Sequence, residues 1–265
     1  MKIGLIYTGT TPELVALVER EVQAALGEQA ELYSLQDPTV LADVRAAGYV
    51  PAAPAARLVG MYMQAVQAGC DALLNLCSSV GEVADSVQAL ARYLGVPIVR
   101  VDEEMCRQAV RTGARIAVVA TLPTTMTPTK NTLLRVAREI GRRVTLVDCL
   151  VEGSFGLDPD AFRARMAHSV GTVARQADVI LFAQGSMAYC EAYIQGLYGL
   201  PVLSSPRFGA AALRSTLAAK AQYIHGVEEI VSSPHTQNDH RGCGAGLDQR
   251  KDDVKNVVKG FAPSI

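Results

Sequence analysis

With 265 residues, 49% of them hydrophobic, the chain can bury one large core or two smaller ones. A formal net charge of -1, with no long run of like charge, argues against nucleic acid or an anionic membrane as the main partner. No apolar stretch approaches the ~20 residues that cross a bilayer. The opening Met1-Lys2-Ile3-Gly4-Leu5-Ile6-Tyr7 reads as a strand rather than a leader, so the expectation is a soluble, cytoplasmic protein.

In chain order, residues 2–7 form an apolar β run. Thr11, Pro12 and Glu13 then supply an N-cap, a proline at the first helical position and an acid in the first turn. Leu14, Leu17, Val18, Val22, Ala25 and Leu26 recur at helical spacing until Gly27 ends the run. Residues 30–34 predict a second strand, and Pro51-Ala52-Ala53-Pro54 a loop before a helix over 55–68. A strand running to Cys77 follows, then a helix carrying Val83, Val87, Leu90 and Leu94, then a strand at 98–101.

The alternation begins again at Gly113 with a strand at 116–120, a turn at Thr121-Leu122-Pro123-Thr124-Thr125 and a helix over 129–140. Strands at 144–147 and up to Ala183 enclose a helix over 159–176. A further helix runs through Tyr198, and the last strand follows Pro201. Strands alternating with helices imply parallel sheets covered on both faces.

Two stretches match each other. Asp71-Ala72-Leu73-Leu74-Asn75-Leu76-Cys77 and Asp178-Val179-Ile180-Leu181-Phe182-Ala183-Gln184 each run from an acid through a short apolar strand to a polar residue. Leu94-Gly95-Val96-Pro97 and Tyr198-Gly199-Leu200-Pro201 follow at similar distances. The fold class expected is therefore α/β, with two pseudo-symmetric lobes and the active site in the cleft between them. The first lobe is residues 1–100 with about 206–228, the second 101–205, and 229–265 a mobile polar tail. Ligands of open parallel sheets bind beyond the carboxyl ends of the strands. Here those ends are Thr8-Gly9, Cys77-Ser78-Ser79, Thr121 to Thr125 and Gln184-Gly185-Ser186. Their hydroxyls and backbone N–H groups suit a carboxylate, and equally suit helix capping.

The cysteines form no C-x-x-C pair and no zinc-like spacing with histidine, so they read as free thiols. His235, His240 and Cys243 lie in the polar tail and read as solvated residues rather than as a metal site.

These motifs resemble the cofactor-independent aspartate/glutamate/hydantoin racemase superfamily. Lys2 to Gly9 looks like its first strand and turn, and Leu76-Cys77-Ser78-Ser79 is similar to its first cysteine motif. Ala120-Thr121-Leu122-Pro123-Thr124 resembles its mid-chain threonine turn, and Ala183-Gln184-Gly185-Ser186-Met187 its second cysteine motif. The resemblance spans about residues 1–225. It implies two thiols on opposite faces of a substrate exchanging the Cα proton, with no metal and no cofactor. It also implies a small-molecule carboxylate as partner and a homodimer or higher homo-oligomer.

The chain departs from that pattern at Gln184, where the second thiol is expected. Tyr7 also replaces the acid expected after the first strand, and Ser186 a histidine. An amide does not titrate usefully, so the expected catalytic set is Cys77, Gln184 and Cys190, the last as a replacement thiol one turn further on. Tyr7, Thr8, Ser78, Ser79, Thr121, Thr124, Gly185 and Ser186 are the expected substrate-binding residues. Tyr189 is, with Tyr7, an alternative proton donor. Donors around the strand end are expected to lower the Cys77 thiol. The expected activity is a racemase or isomerase acting next to a carboxylate or carbonyl. A single-cysteine decarboxylase or lyase of a malonate-like acid, and a catalytically silent small-acid binding protein, are the alternatives.

Overall fold

The computed structural model describes residues 1–154 and 157–232, with side chains described through residue 222. The trio His235, His240 and Cys243, and the tail beyond residue 232, lie outside the described residues.

In the first half, β1 (Lys2–Tyr7), β2 (Glu31–Gln36), β3 (Ala72–Asn75) and β4 (Ile98–Arg100) form a parallel sheet in the order β2-β1-β3-β4. In the second half, β5 (Arg115–Ala120), β6 (Thr145–Leu150), β7 (Val179–Phe182) and β8 (Val202–Leu203) form another in the order β6-β5-β7-β8. The two registers correspond: Ile3 faces Ala72 as Ile116 faces Val179. The α/β architecture of two matched parallel sheets is the one the sequence predicts.

The repeated acids close the lower edge of each sheet. Asp71 Oδ2 accepts from the Lys2 N–H at 2.8 Å, and Asp178 Oδ2 accepts from the Ala114 and Arg115 N–H groups at 3.1 and 2.9 Å. Gly95 and Gly199 also correspond, with φ of 68° and 66° at helix ends where a side chain would be strained. The central strands are apolar along most of their length. Leu73, Leu74, Ile116, Val118, Ile180 and Leu181 are all closed from water, and burying each such side chain stabilises the fold by roughly 1.5–3 kcal/mol.

Helices α1 (Pro12–Leu26), α2 (Pro38–Ala47), α3 (Ala52–Gln67), α4 (Gly81–Ser86) and α5 (Gln88–Leu94) accompany the first sheet, and α6 (Glu103–Thr112) leads into the second. The second carries α7 (Pro123–Ile140), α8 (Pro159–Val173) and α9 (Glu191–Tyr198). The final helix α10 (Ser205–Ser232) leaves β8 and packs on α1 and α6 as well as on β3 and β4. It extends into the stretch expected to begin the tail.

Thr11 caps α1 by accepting from Leu14 N–H, as its sequence predicts, and Asp37 caps α2 through Thr39 N–H. Several helices depart from the sequence reading. α2 and α6 were not anticipated. α3 begins at Ala52 because Pro54 falls in its first turn, where no intrahelical N–H is needed. α7 begins at Pro123, six residues earlier than expected, and carries Pro128 within it. Among the described residues no helix is long and apolar enough to cross a membrane.

Candidate active site

The corresponding strand ends converge. Cys77 lies two residues beyond β3 with extended backbone (φ -140°, ψ 112°), and Gln184 two residues beyond β7 with the same character (φ -125°, ψ 132°). Each leads into a short 3₁₀ turn, Ser78–Val80 and Gly185–Cys190. Between them opens a cleft of about 930 Å³ with residues of both halves in its wall. Cys77, Ser78, Ser79, Thr121, Gln184, Gly185 and Ser186 line it. The rest is largely apolar, from Leu14, Leu41, Leu122, Leu157 and Phe162, with the guanidinium side chains of Arg45 and Arg163.

Cys77 is 9% exposed. Burial pushes its thiol above the ordinary cysteine value; the Thr8 hydroxyl and the Ser79 and Val80 backbone N–H groups oppose this, while the Asp102 carboxylate adds to the rise. The net direction is opposite to the sequence expectation of a lowered thiol, because desolvation outweighs the donors. A buried polar chain pins the turn from below. Tyr62 Oη donates to Asn75 Oδ1 at 3.0 Å, and Asn75 Nδ2 donates to the Cys77 carbonyl at 3.1 Å.

Behind the Ser78–Val80 turn lies a buried ion pair. Arg100 donates to both oxygens of Asp102, at 3.0 and 2.9 Å, and to Asp85 Oδ2 at 2.6 Å. Burial alone would raise the Asp102 carboxyl, but the adjacent Arg100 guanidinium outweighs it and holds the group below the usual carboxylate range. The guanidinium lies so close to Gly81 that a Cβ there would come within 2.4 Å of Nη2. The glycine at the start of α4 is therefore a packing requirement.

The second half uses the same geometry differently. The Thr121 N–H donates to Gln184 Oε1 at 2.7 Å, and Gln184 Nε2 donates to Thr121 Oγ1 at 2.7 Å. Thr8 follows β1 and Thr121 follows β5, the corresponding strands of the two sheets; the Thr8 hydroxyl is buried near the thiol with no hydrogen-bond partner among the described residues, whereas Thr121 is bonded to the amide. The two walls are tied directly. Ser79 Oγ and Thr125 Oγ1 share a hydrogen bond of 2.9 Å, and Asn131 Nδ2 donates to Glu82 Oε1 at 2.7 Å.

Four expected site residues lie elsewhere. Cys190 is fully closed from solvent in the core with Met187, Phe162 and Ile194, and does not line the cleft. Ending a 3₁₀ turn rather than sitting one α-turn into a helix, it faces inward. Its neighbour Tyr189, 46% exposed, faces the cleft, with Arg163 over its ring at 5.7 Å. Tyr7 is buried in the core of the first half, and Thr8 is buried beneath the cleft. Thr124 turns away because α7 begins at Pro123, and Thr125 takes the cleft position. A proline at the first helical position was the available signal for that shift. The sequence reading also missed Ser205 and Pro206, which line the cleft from the start of α10, and Arg45 and Arg163.

A family model described as Asp/Glu/Hydantoin racemase matches residues 3–213. Comparison with curated proteins gave no match. Among solved structures, the chain is similar to a glutamate racemase, isoform RacE1, from Bacillus anthracis, with 18% identity, 82% of each chain covered and a TM-score of 0.61. It is similar to an allantoin racemase from Klebsiella pneumoniae at 15% identity, covering 83% of this chain and 88% of that one, with a TM-score of 0.59. It is also similar to the maleate isomerase Iso from Pseudomonas putida S16 at 14% identity, covering 82% and 93%, with a TM-score of 0.54. At such identities the structural likeness speaks for the fold, while the family match spans most of the chain. Two matched parallel sheets, a cleft at their strand ends and this match agree: the chain belongs to the Asp/Glu/hydantoin racemase family.

Proposed function

We propose that the protein is a cofactor-independent isomerase acting at the carbon α to the carboxylate or carbonyl of a small acid or amino-acid derivative, with Cys77 as its acid/base thiol. The observation that carries this reading is the placement of Cys77 at the cleft floor, beside the Thr8 hydroxyl and two backbone N–H groups, opposite in the repeat to an amide. A carbon next to a carboxylate is a weak acid; burial makes the Cys77 thiolate a stronger base toward its proton while leaving less of that base at neutral pH. The electron pair left on carbon moves into the carbonyl, where hydrogen-bond donors stabilise the oxyanion. Gln184 Nε2 carries two hydrogens, one engaged by Thr121, so the second is left for a substrate oxygen. Ser186 and the Gly185 backbone lie on the same wall.

A second reading is favoured by the clamped Gln184 and the inward Cys190. With Cys77 the one thiol among the described residues that lines the cleft, loss of carbon dioxide from a malonate-like acid would leave an enediolate that Cys77 protonates from one face. The test is a panel of small carboxylic acids in heavy water, followed by proton NMR. Deuterium at Cα without loss of carbon supports the isomerase, and carbon dioxide release with one stereochemical product supports the lyase. Full activity in both Cys77→Ser and Cys77→Ala overturns both.

A further inference from the structure

Most hydroxyls facing the cleft are already used inside the protein. Ser79 and Thr125 bond each other, Thr121 bonds Gln184, and Ser154 Oγ donates to the Val151 carbonyl at 2.6 Å. Ser205 differs. Its residue lines the cleft and is 0% exposed, and its Oγ has no hydrogen-bond partner among the described residues. A buried hydroxyl without a partner costs roughly 1–3 kcal/mol, so this placement calls for a ligand atom.

Ser205 is also the first residue of α10, the longest helix described. The first turn of a helix presents unbonded N–H groups and the positive end of its dipole; in α10 the Pro206 position supplies no N–H, so Ser205 and the residues after Pro206 are the donors. The side of this helix end away from the cleft is occupied by the protein itself: Glu191 accepts from Ser204 Oγ at 2.5 Å and pairs with Arg207. The cleft side carries Ser205 and Pro206. Facing them is Gly185, where a Cβ would come within 3.3 Å of Ser205 Oγ, so the glycine keeps the space over the hydroxyl open.

We infer that Ser205, with the N-terminal turn of α10, forms a carboxylate-binding subsite of the cleft on the wall that carries Gln184. The inference rests on the carboxylate chemistry proposed above and adds where one carboxylate is held. A substrate anchored there places its α carbon between this wall and the Cys77 wall.

The test is titration calorimetry of the full chain with malonate, using malonamide as the neutral control. Native protein is expected to bind malonate and not malonamide, and Ser205→Ala to weaken malonate about tenfold while still unfolding cooperatively. If Ser205→Ala does not fold, Gly185→Ala decides, because its methyl crowds the same oxygen: a loss of affinity supports the subsite. Equal malonate affinity in native protein and variant overturns the subsite alone. Failure of the native protein to bind malonate or any other small carboxylate overturns the subsite and the carboxylate reading together.

Discussion

Gln184 holds Thr121 at two points, with its Oε1 accepting from the backbone N–H and its Nε2 donating to the hydroxyl, both at 2.7 Å. At the corresponding place in the first half, Thr8 stands beside the Cys77 thiol. The repeat has kept the threonine on each side and exchanged the group beside it. Restoring a thiol should therefore change the stereochemistry. Gln184→Cys is expected to raise the rate of inversion relative to that of exchange, at a cost of about 1–2 kcal/mol in stability from the lost amide bonds. Chiral chromatography of the recovered substrate, beside NMR of its deuterium content, checks it; a variant with an unchanged ratio of inversion to exchange contradicts the assignment of the two walls.

The pH dependence follows from burial of the Cys77 thiol, which raises it above the ordinary value near 9.0. The base form is then scarce at neutral pH, and the exchange rate is expected to go on rising past pH 9. Thr8→Val removes a group that stabilises the thiolate and should move this limb further up. The same raised thiol bears on stability. The folded state keeps its proton where the unfolded chain has lost it, so the Cys77 contribution falls as pH climbs above the unfolded thiol value. Rate profiles of native protein and Thr8→Val, with urea titrations at two alkaline pH values, measure both effects.

Asp102 supports the Cys77 turn through Arg100. Its carboxyl is held below the usual range, so its contribution is present above the unfolded carboxylate value and is lost as pH falls through the folded one. Asp102→Asn leaves a buried guanidinium with Asp85 alone and should cost about 3–5 kcal/mol. Gly81→Ala drives a methyl against the same guanidinium, which two carboxylates prevent from moving aside, and should cost about 1–3 kcal/mol. Denaturant midpoints for the two variants report these losses.

Across the cleft, Thr125→Val removes the hydroxyl that joins the two walls at Ser79. The expected result is a loss of about 1 kcal/mol in stability and a rise in KM larger than any fall in kcat, because the walls lose their register more than their chemistry. Steady-state kinetics on an identified substrate separates the two parameters.

The sheets and the thiol end of the site were legible because they rest on short-range signals. An acid, a short and mostly apolar strand and a polar strand end recur at Asp71 and Asp178, and the Gly-x-Pro entries follow each. What was not legible depends on rotation by one residue. A helix begun at Pro123 brings Thr125 rather than Thr124 to the cleft, and a 3₁₀ turn after Gln184 presents Tyr189 and buries Cys190. Helix α6 was missed because only Met105, Cys106, Ala109 and Val110 of its ten residues are buried, a narrow stripe among charges. Ser205 lies beyond the repeat, and its role depends on the return of α10 across both halves.

The account stands or falls on Cys77. The direct measurement is exchange of the Cα proton of small carboxylic acids in heavy water, followed by NMR for native protein and Cys77→Ala. Native protein should incorporate deuterium and Cys77→Ala should lose at least about a hundredfold in rate. Exchange by Cys77→Ala at the native rate would contradict the assignment of Cys77 as the acid/base group.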